Sequence, residues 1–146
     1  MALEGRGIKP DARAEVLPAD DPKWLSAQRL LQGYDAATLE GLSAIVGAIE
    51  VPTRGVLLHS VDGHAAASAL MSVADGIVFA GSVVTAASER RRGYGNAVML
   101  SGLAWAVGEG AKVAALNVLA DNEPALALYG SVGYAHVYDY HYRKPA

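Results

Sequence analysis

The apolar pattern changes period near Val56, and this change restricts the fold more than any other feature of the chain. Upstream, Leu39, Leu42, Val46 and Ile49 recur at helical spacing and give one apolar face. Downstream, Val56–Val61, Ala65–Val73 and Ile77–Thr85 read as three strands, separated by turn signals at Asp62-Gly63 and Ala74–Gly76. Strands joined so tightly must run antiparallel, so a three-stranded meander is expected. The period then returns to helical: Ala97, Leu100, Ala104 and Val107 share a face, and Gly108 and Gly110 end the run. The face opposite is also largely uncharged, which predicts a helix covered on both sides. Lys112–Leu119 is a short β-like run. "DNEPALALY" opens a last helix to about Tyr129, Gly133 stops it, and Tyr134–Arg143 reads as a final strand. A meander followed by strand, helix, strand, helix, strand predicts an α/β chain of the α+β type. Its mixed sheet has a βαβαβ half with parallel strands.

Two helices precede the meander. "ADDPKW" is a helix start, with Asp21 as cap and Pro22 at the first helical position, and Gly33 stops it. The second starts near Ala36 with Asp35 as cap and ends before Val51-Pro52. Residues 1–19, rich in Gly, Pro and charge, read as a loosely held head with a weak strand near Ala12–Val16; residues 20–146 read as one domain. A chain of 146 residues that is 52% hydrophobic has enough material for one real core. The net charge of −3 gives no field for nucleic acid, so any basic function is local. With no cysteine there is no disulfide, thiolate nucleophile or cysteine metal site. The stretch Ala65–Ala87 is too interrupted, by Asp75 and Gly76, to span a membrane, and Met1–Pro10 lacks an apolar leader. The expected setting is cytoplasmic.

The chemistry concentrates in "RRRGYG", Arg90–Gly95, between a strand and a helix. The first N–H groups of a helix have no internal partners, and the helix dipole adds partial positive charge there. Gly93 and Gly95 have no Cβ, so a phosphate can come close to the backbone. Arg90, Arg91 and Arg92 add charge and forked donors. The turn reads as a pyrophosphate cradle or, more plainly, as a solvated charged turn before a core helix. It matches neither nucleotide fingerprint, GxxxxGK followed by Ser or Thr, nor GxGxxG.

A second stretch lies downstream. "NEPALALYGSVGY", Asn122–Tyr134, comes after the strand that succeeds the turn. Together the two resemble the GNAT family of N-acetyltransferases. Arg90–Gly95 is similar to that family's pyrophosphate loop, Gln/Arg-x-x-Gly-x-Gly/Ala. Asn122, Ala125, Leu128, Tyr129 and Gly133-Tyr134 are similar to its NxxAxxLYxxxGF segment. The resemblance covers about Val56 to Lys144. It implies the acyl-CoA N-acyltransferase fold, in which two parallel strands splay and acetyl-CoA, the cosubstrate, lies in the gap. Backbone groups of Val83 and Thr85 would pair with the pantetheine arm. The N–H groups of Arg91, Arg92, Gly93, Tyr94, Gly95 and Asn96 would hold the pyrophosphate. Asn122 would contact the cofactor and Tyr129 would protonate the leaving thiolate. On the residues alone, Tyr129 can instead be a packed aromatic, and Asn122 can cap its helix, a role compatible with contacting the cofactor.

The implied activity is transfer of acetyl from acetyl-CoA to a primary amine of a small molecule or peptide, by direct attack, with no metal. The strand Ile77–Thr85 carries no carboxylate or histidine to act as base, although members of the family often carry a glutamate there. Glu89 lies on the phosphate side, and His59, Glu50, Asp75 and His141 are the other candidates. That gap keeps a second reading open, a non-catalytic module that binds acetyl-CoA. A third is a phosphate-binding turn in an unrelated α/β protein. Trp24, Tyr34, Tyr138, Tyr140 and Tyr142 either line an acceptor pocket or pack in the core. The apolar helix and tyrosine-rich final strand lead to the expectation of a homodimer. No nucleic-acid or membrane partner is expected.

Overall fold

The computed structural model describes residues 2–3, 7–33, 35–86, 93–116, 130 and 132–134. Its eight elements, in chain order, are β1 (Ala14–Pro18), α1 (Pro22–Gln32), α2 (Ala36–Gly47), β2 (Thr53–His59), β3 (Ala65–Ala74), β4 (Ile77–Thr85), α3 (Tyr94–Gly108) and β5 (Val113–Ala115). The strands form one five-stranded sheet in sequential order. β1 to β4 pair antiparallel, and β4 pairs parallel with β5.

Local chemistry sets the boundaries. The Asp21 carboxylate accepts from the Lys23 N–H, Pro22 occupies the first helical position, and Gly33 at φ 71° closes α1 by donating to the Arg29 carbonyl. The β3–β4 turn places Asp75 at φ 53° and Gly76 at φ 76°, the left-handed pair a tight hairpin needs. The first hairpin strand starts at Thr53, three residues before the apolar run that predicts it. Thr53 and Arg54 are polar, but the ladder includes them, pairing Thr53 with Ser72 and Arg54 with Met71. β1 lies within the segment read as a head and two residues beyond the weak strand signal; it pairs with β2 from Ala14↔Leu58 to Pro18↔Arg54.

Two layers cover the sheet. On one face α3 packs Val98, Met99 and Leu103 against Val56, Leu58 and Met71. On the other face α1 lays Trp24 and Leu25 on Leu57, with Leu39 and Leu42 of α2 beside them. Trp24 is fully buried, and its ring sits where a Cβ on Gly55 would be. Trp24 is thus a core residue. The other four aromatics of the proposed acceptor set, Tyr34, Tyr138, Tyr140 and Tyr142, lie outside the described residues. α3 is uncharged all round and largely buried from Tyr94 to Ala106, as its sequence implies. Among the described residues, no helix is long and apolar enough to cross a membrane.

Candidate functional site: the β4 edge and the start of α3

The helix after β4 begins on Gly93, whose φ of 77° puts it in the left-handed region. Only glycine takes that conformation without strain. Among the described residues no side chain caps this end, and the first turn carries no acidic residue. The Gly93 carbonyl already accepts from the Ala97 N–H at 3.0 Å, so the helix is fully wound from its start. The backbone N–H groups of Tyr94 and Gly95 precede the first intrahelical donor, and the dipole's positive end lies there. An added Cβ on Gly93 would project into open space among the described residues. The geometry suits an incoming anion. Arg90, Arg91 and Arg92 lie outside the described residues.

Tyr94 itself turns inward. Its side chain is buried in the main core, with the Arg13 guanidinium 5.4 Å from the ring centroid. What it offers an anion is backbone. Arg13 is in turn held by Asp11: Nε donates to Oδ1 at 2.9 Å and Nη2 to Oδ2 at 2.8 Å. These bonds hold the Asp11 carboxyl down at about 2. The Asp11 N–H donates to Ser101 Oγ at 2.9 Å. The segment before β1 is thereby fastened across the first two turns of α3. No local pattern signals this contact, because Asp11 and Ser101 are ninety residues apart in sequence.

β4 supplies the second half of the site. Its ladder with β3 shifts register between Ser68↔Val84 and Leu70↔Gly81, so β4 spends three steps against two. A bulge of this kind bends the strand and re-aims the residues beyond it. β5 pairs with β4 only over Ile77–Phe79, while β4 runs on to Thr85. Among the described residues, the β4 edge from Ala80 to Thr85 has no neighbour on the β5 side. The Ala86 N–H donates to the Ala66 carbonyl of β3 at 2.8 Å. Backbone groups alternate between the two edges of a strand. Thr85 therefore turns its backbone toward the open edge, and Val83 lies in the bulge, where the alternation is interrupted. The Val83 side chain packs against the α3-side core. Val83, Thr85, Gly93, Tyr94, Gly95 and Asn96 are thus gathered at one end of the sheet. Asn122 and Tyr129 lie outside the described residues.

The candidate bases are scattered. Asp75 and Glu50 adjoin the end of the sheet opposite Thr85: Asp75 is in the β3–β4 turn, and Glu50 precedes β2, whose Thr53 pairs with Ser72. His59 Nδ1 stands 3.9 Å from Glu15 Oε1, and Lys23 Nζ holds that same carboxylate at 2.8 Å. Glu89 and His141 fall outside the described residues. On the α1 face beside the end of β4 lies a cavity of about 340 Å³, lined by Leu30, Leu31, His64, Ala65 and Ala86. His64 is not among the sequence candidates, since a lone histidine after a turn carries no pattern. No cluster of three metal-ligating side chains occurs among the described residues.

Known proteins resemble this chain. An N-acetyltransferase of Bacillus subtilis (strain 168), YobR, described as uncharacterized, is 34% identical over 73 residues; the match spans 50% of this chain and 30% of that protein. The structure of the aminoglycoside acetyltransferase AAC(6')-Iy with a bisubstrate analogue superposes at a TM-score of 0.71 and 16% identity, covering 91% of this chain and 99% of that one. The apo aminoglycoside 6'-N-acetyltransferase AAC(6')-IG of Acinetobacter haemolyticus does so at 0.71 and 18%, covering 90% and 98%. At these identities the likeness speaks to the fold, which is that of the acyl-CoA N-acyltransferases. Residues 23–134 match the acetyltransferase (GNAT) family model, and with most of its length so matched, the chain belongs to that family.

Proposed function

We propose that the protein moves an acetyl group from acetyl-CoA to the primary amine of a small molecule. The observation that carries this reading is the pairing of a helix start at Gly93 with a β4 edge from Ala80 to Thr85, the first uncapped and the second unpaired among the described residues. A pyrophosphate at the first receives N–H donors and the helix dipole. A pantetheine arm along the second adds its amides to the backbone groups of Val83 and Thr85, as an extra strand does. The thioester then lies beside the β4 bulge. There the amine's lone pair attacks the carbonyl carbon, the C–S bond breaks, and the electron pair leaves on sulfur. Tyr129, on its likeness to the family's NxxAxxLY segment, donates the proton that sulfur takes up. The nitrogen releases one proton to solvent, from which the phenol is reprotonated, and Asn122 contacts the cofactor. Arg90, Arg91 and Arg92 add positive charge beside the phosphates. Relatives of similar fold acetylate aminoglycosides by name, which supports a small-molecule acceptor. A binding module without turnover is the second reading, favoured by one observation: β4 carries no carboxylate or histidine.

Titration with acetyl-CoA, and then thiol release across an amine panel, tests both. Gly93→Val should abolish binding at micromolar cofactor, because Val is strained at positive φ and brings its methyls to the anion's approach. Tyr129→Phe should leave binding unchanged and lower kcat roughly tenfold to a thousandfold. Undiminished affinity in folded Gly93→Val would remove the cradle. Binding without turnover on any amine would favour the second reading.

A further inference from the structure

The cavity on the α1 face has a lining chemistry of its own. Leu30 and Leu31 end α1, Ala65 opens β3, Ala86 directly succeeds β4, and His64 is the one polar side chain among its described lining residues. The backbone around the cavity is tied to the sheet. Gln28, three residues before Leu31, is fully buried, and its Oε1 accepts from Ser68 Oγ, pinning α1 onto β3. Ala86 is held to Ala66 at 2.8 Å. His64 is held by its carbonyl, which accepts from the Ser60 N–H at 2.8 Å, inside a turn closed by Gly63 N–H to the Ser60 carbonyl at 2.9 Å.

The cavity also abuts the reacting strand. Ala86 is the residue after Thr85, and Val84, paired with Ser68, shares the α1 face. The open β4 edge and this cavity therefore meet at the same end of one strand. An apolar cavity of about 150 Å³ holds a benzene ring. The space here, about 340 Å³ and open to solvent on one side, has room for a ring with a short chain. Aliphatic walls favour apolar matter, and an ammonium buried among them without a carboxylate partner is strongly penalised. The described lining contains no carboxylate. A polycation is therefore a poor occupant, whereas a monoamine can bury its body and leave its nitrogen at the mouth.

We propose that this cavity receives the apolar body of a monoamine acceptor, and that the His64 imidazole accepts a hydrogen bond from its amine. The inference rests on the N-acetyltransferase reading and narrows it to arylalkyl or alkyl primary amines. It departs from the polycationic acceptors named for the structural relatives.

The test uses the full chain with saturating acetyl-CoA and three acceptors: phenethylamine, methylamine and kanamycin. Phenethylamine should exceed each of the others in kcat/KM by tenfold or more. Leu30→Gln replaces aliphatic wall at the rim with a neutral amide, on a residue 79% exposed, so the fold tolerates it. It should raise the phenethylamine KM about tenfold and leave acetyl-CoA affinity unchanged. His64→Leu should raise the same KM, and His64→Gln, which keeps an acceptor, should restore part of it. A second readout needs no turnover. Phenethylamine titrated into the protein–CoA complex should shift the His64 Cε1 proton saturably, with that resonance assigned by its loss in His64→Gln. Turnover that favours kanamycin, or a phenethylamine KM indifferent to Leu30→Gln, overturns the cavity assignment and leaves the acetyltransferase reading intact. Acetyl-CoA binding with no turnover on any amine overturns that reading instead. In that case a saturable shift still supports the amine site, and its absence overturns it.

Discussion

At the residue scale, two glycines show how the same substitution meets different neighbours. A Cβ on Gly55 would overlap the Trp24 ring, a rigid aromatic that is fully buried between α1 and β2. The ring cannot withdraw without lifting α1 from the sheet. Gly55→Ala should therefore cost about 2–3 kcal/mol, the scale of overpacking a dense core. A Cβ on Gly102 would instead meet Met71 from Cγ through Sδ to Cε, along an unbranched, flexible thioether. Met71 can re-pack, and removing a mid-helix glycine returns up to about 1 kcal/mol. Gly102→Ala should fall within about 1 kcal/mol of the parent protein. Urea midpoints at constant slope would decide the matter. Equal losses at the two sites would show that ring stiffness is not what sets the cost. Gly55 illustrates what the sequence hides: an isolated glycine in a strand run signals a close approach, but not by which residue.

At the element scale, legibility tracks locality. α1 is readable to the residue because Asp21, Pro22 and Gly33 each carry a local conformational reason, and β4 because turns bracket it on one side and the basic loop on the other. The apolar pattern marks the start of β2 too late because a ladder partner, not hydrophobicity, extends the strand to Thr53. The site is half legible. The glycines of the loop announce the start of α3 by their own chemistry. The bulge in β4 and the arm over α3 depend on registers and contacts between distant segments. The arm yields a prediction about acid. Asp11 has a carboxyl near 3.8 when free and about 2 when paired with Arg13. A depressed carboxyl stabilises the fold fully above about pH 4, and that contribution fades as pH falls toward about 2. The pair is partly exposed, at 53% and 27%, so solvent screens it and the effect is small. Asp11→Asn should lower the melting temperature modestly at pH 7, and the gap to the parent protein should close by about pH 2. A gap that persists unchanged at pH 2 would mean that the loss comes from packing.

At the scale of the whole molecule, the residues before β1 link opposite edges of the sheet. Ala2 bridges Val113 on the outer side of β5, and the Leu3 N–H donates to the Lys112 carbonyl at 2.9 Å. From there the chain reaches Ser101 at Asp11, passes Tyr94 at Arg13 and enters β1 on the far edge. Leu3 is 4% exposed and belongs to the same core cluster as Met71, Val98 and Leu103. Ile8 packs against that cluster too. A segment whose composition reads as a loose head is thus anchored by two apolar side chains, which its glycines and charges outnumber. Burying one leucine is worth about 2 kcal/mol or more, and truncating it leaves a void besides. Leu3→Ala should cost about 2 kcal/mol, toward the low end for leucine because Ile8 and the core side chains beside it can settle into part of the space. For a domain of this size that lowers the melting temperature by about 6 °C. The unfolding transition should stay single, because Leu3 shares one cluster with β2, β3, β4 and α3 and cannot melt apart from them. Calorimetry reads both quantities. A Leu3→Ala protein with an unshifted transition would show that the arm rests on the surface and stabilises nothing. A new low-temperature shoulder would show that it unfolds as a unit of its own.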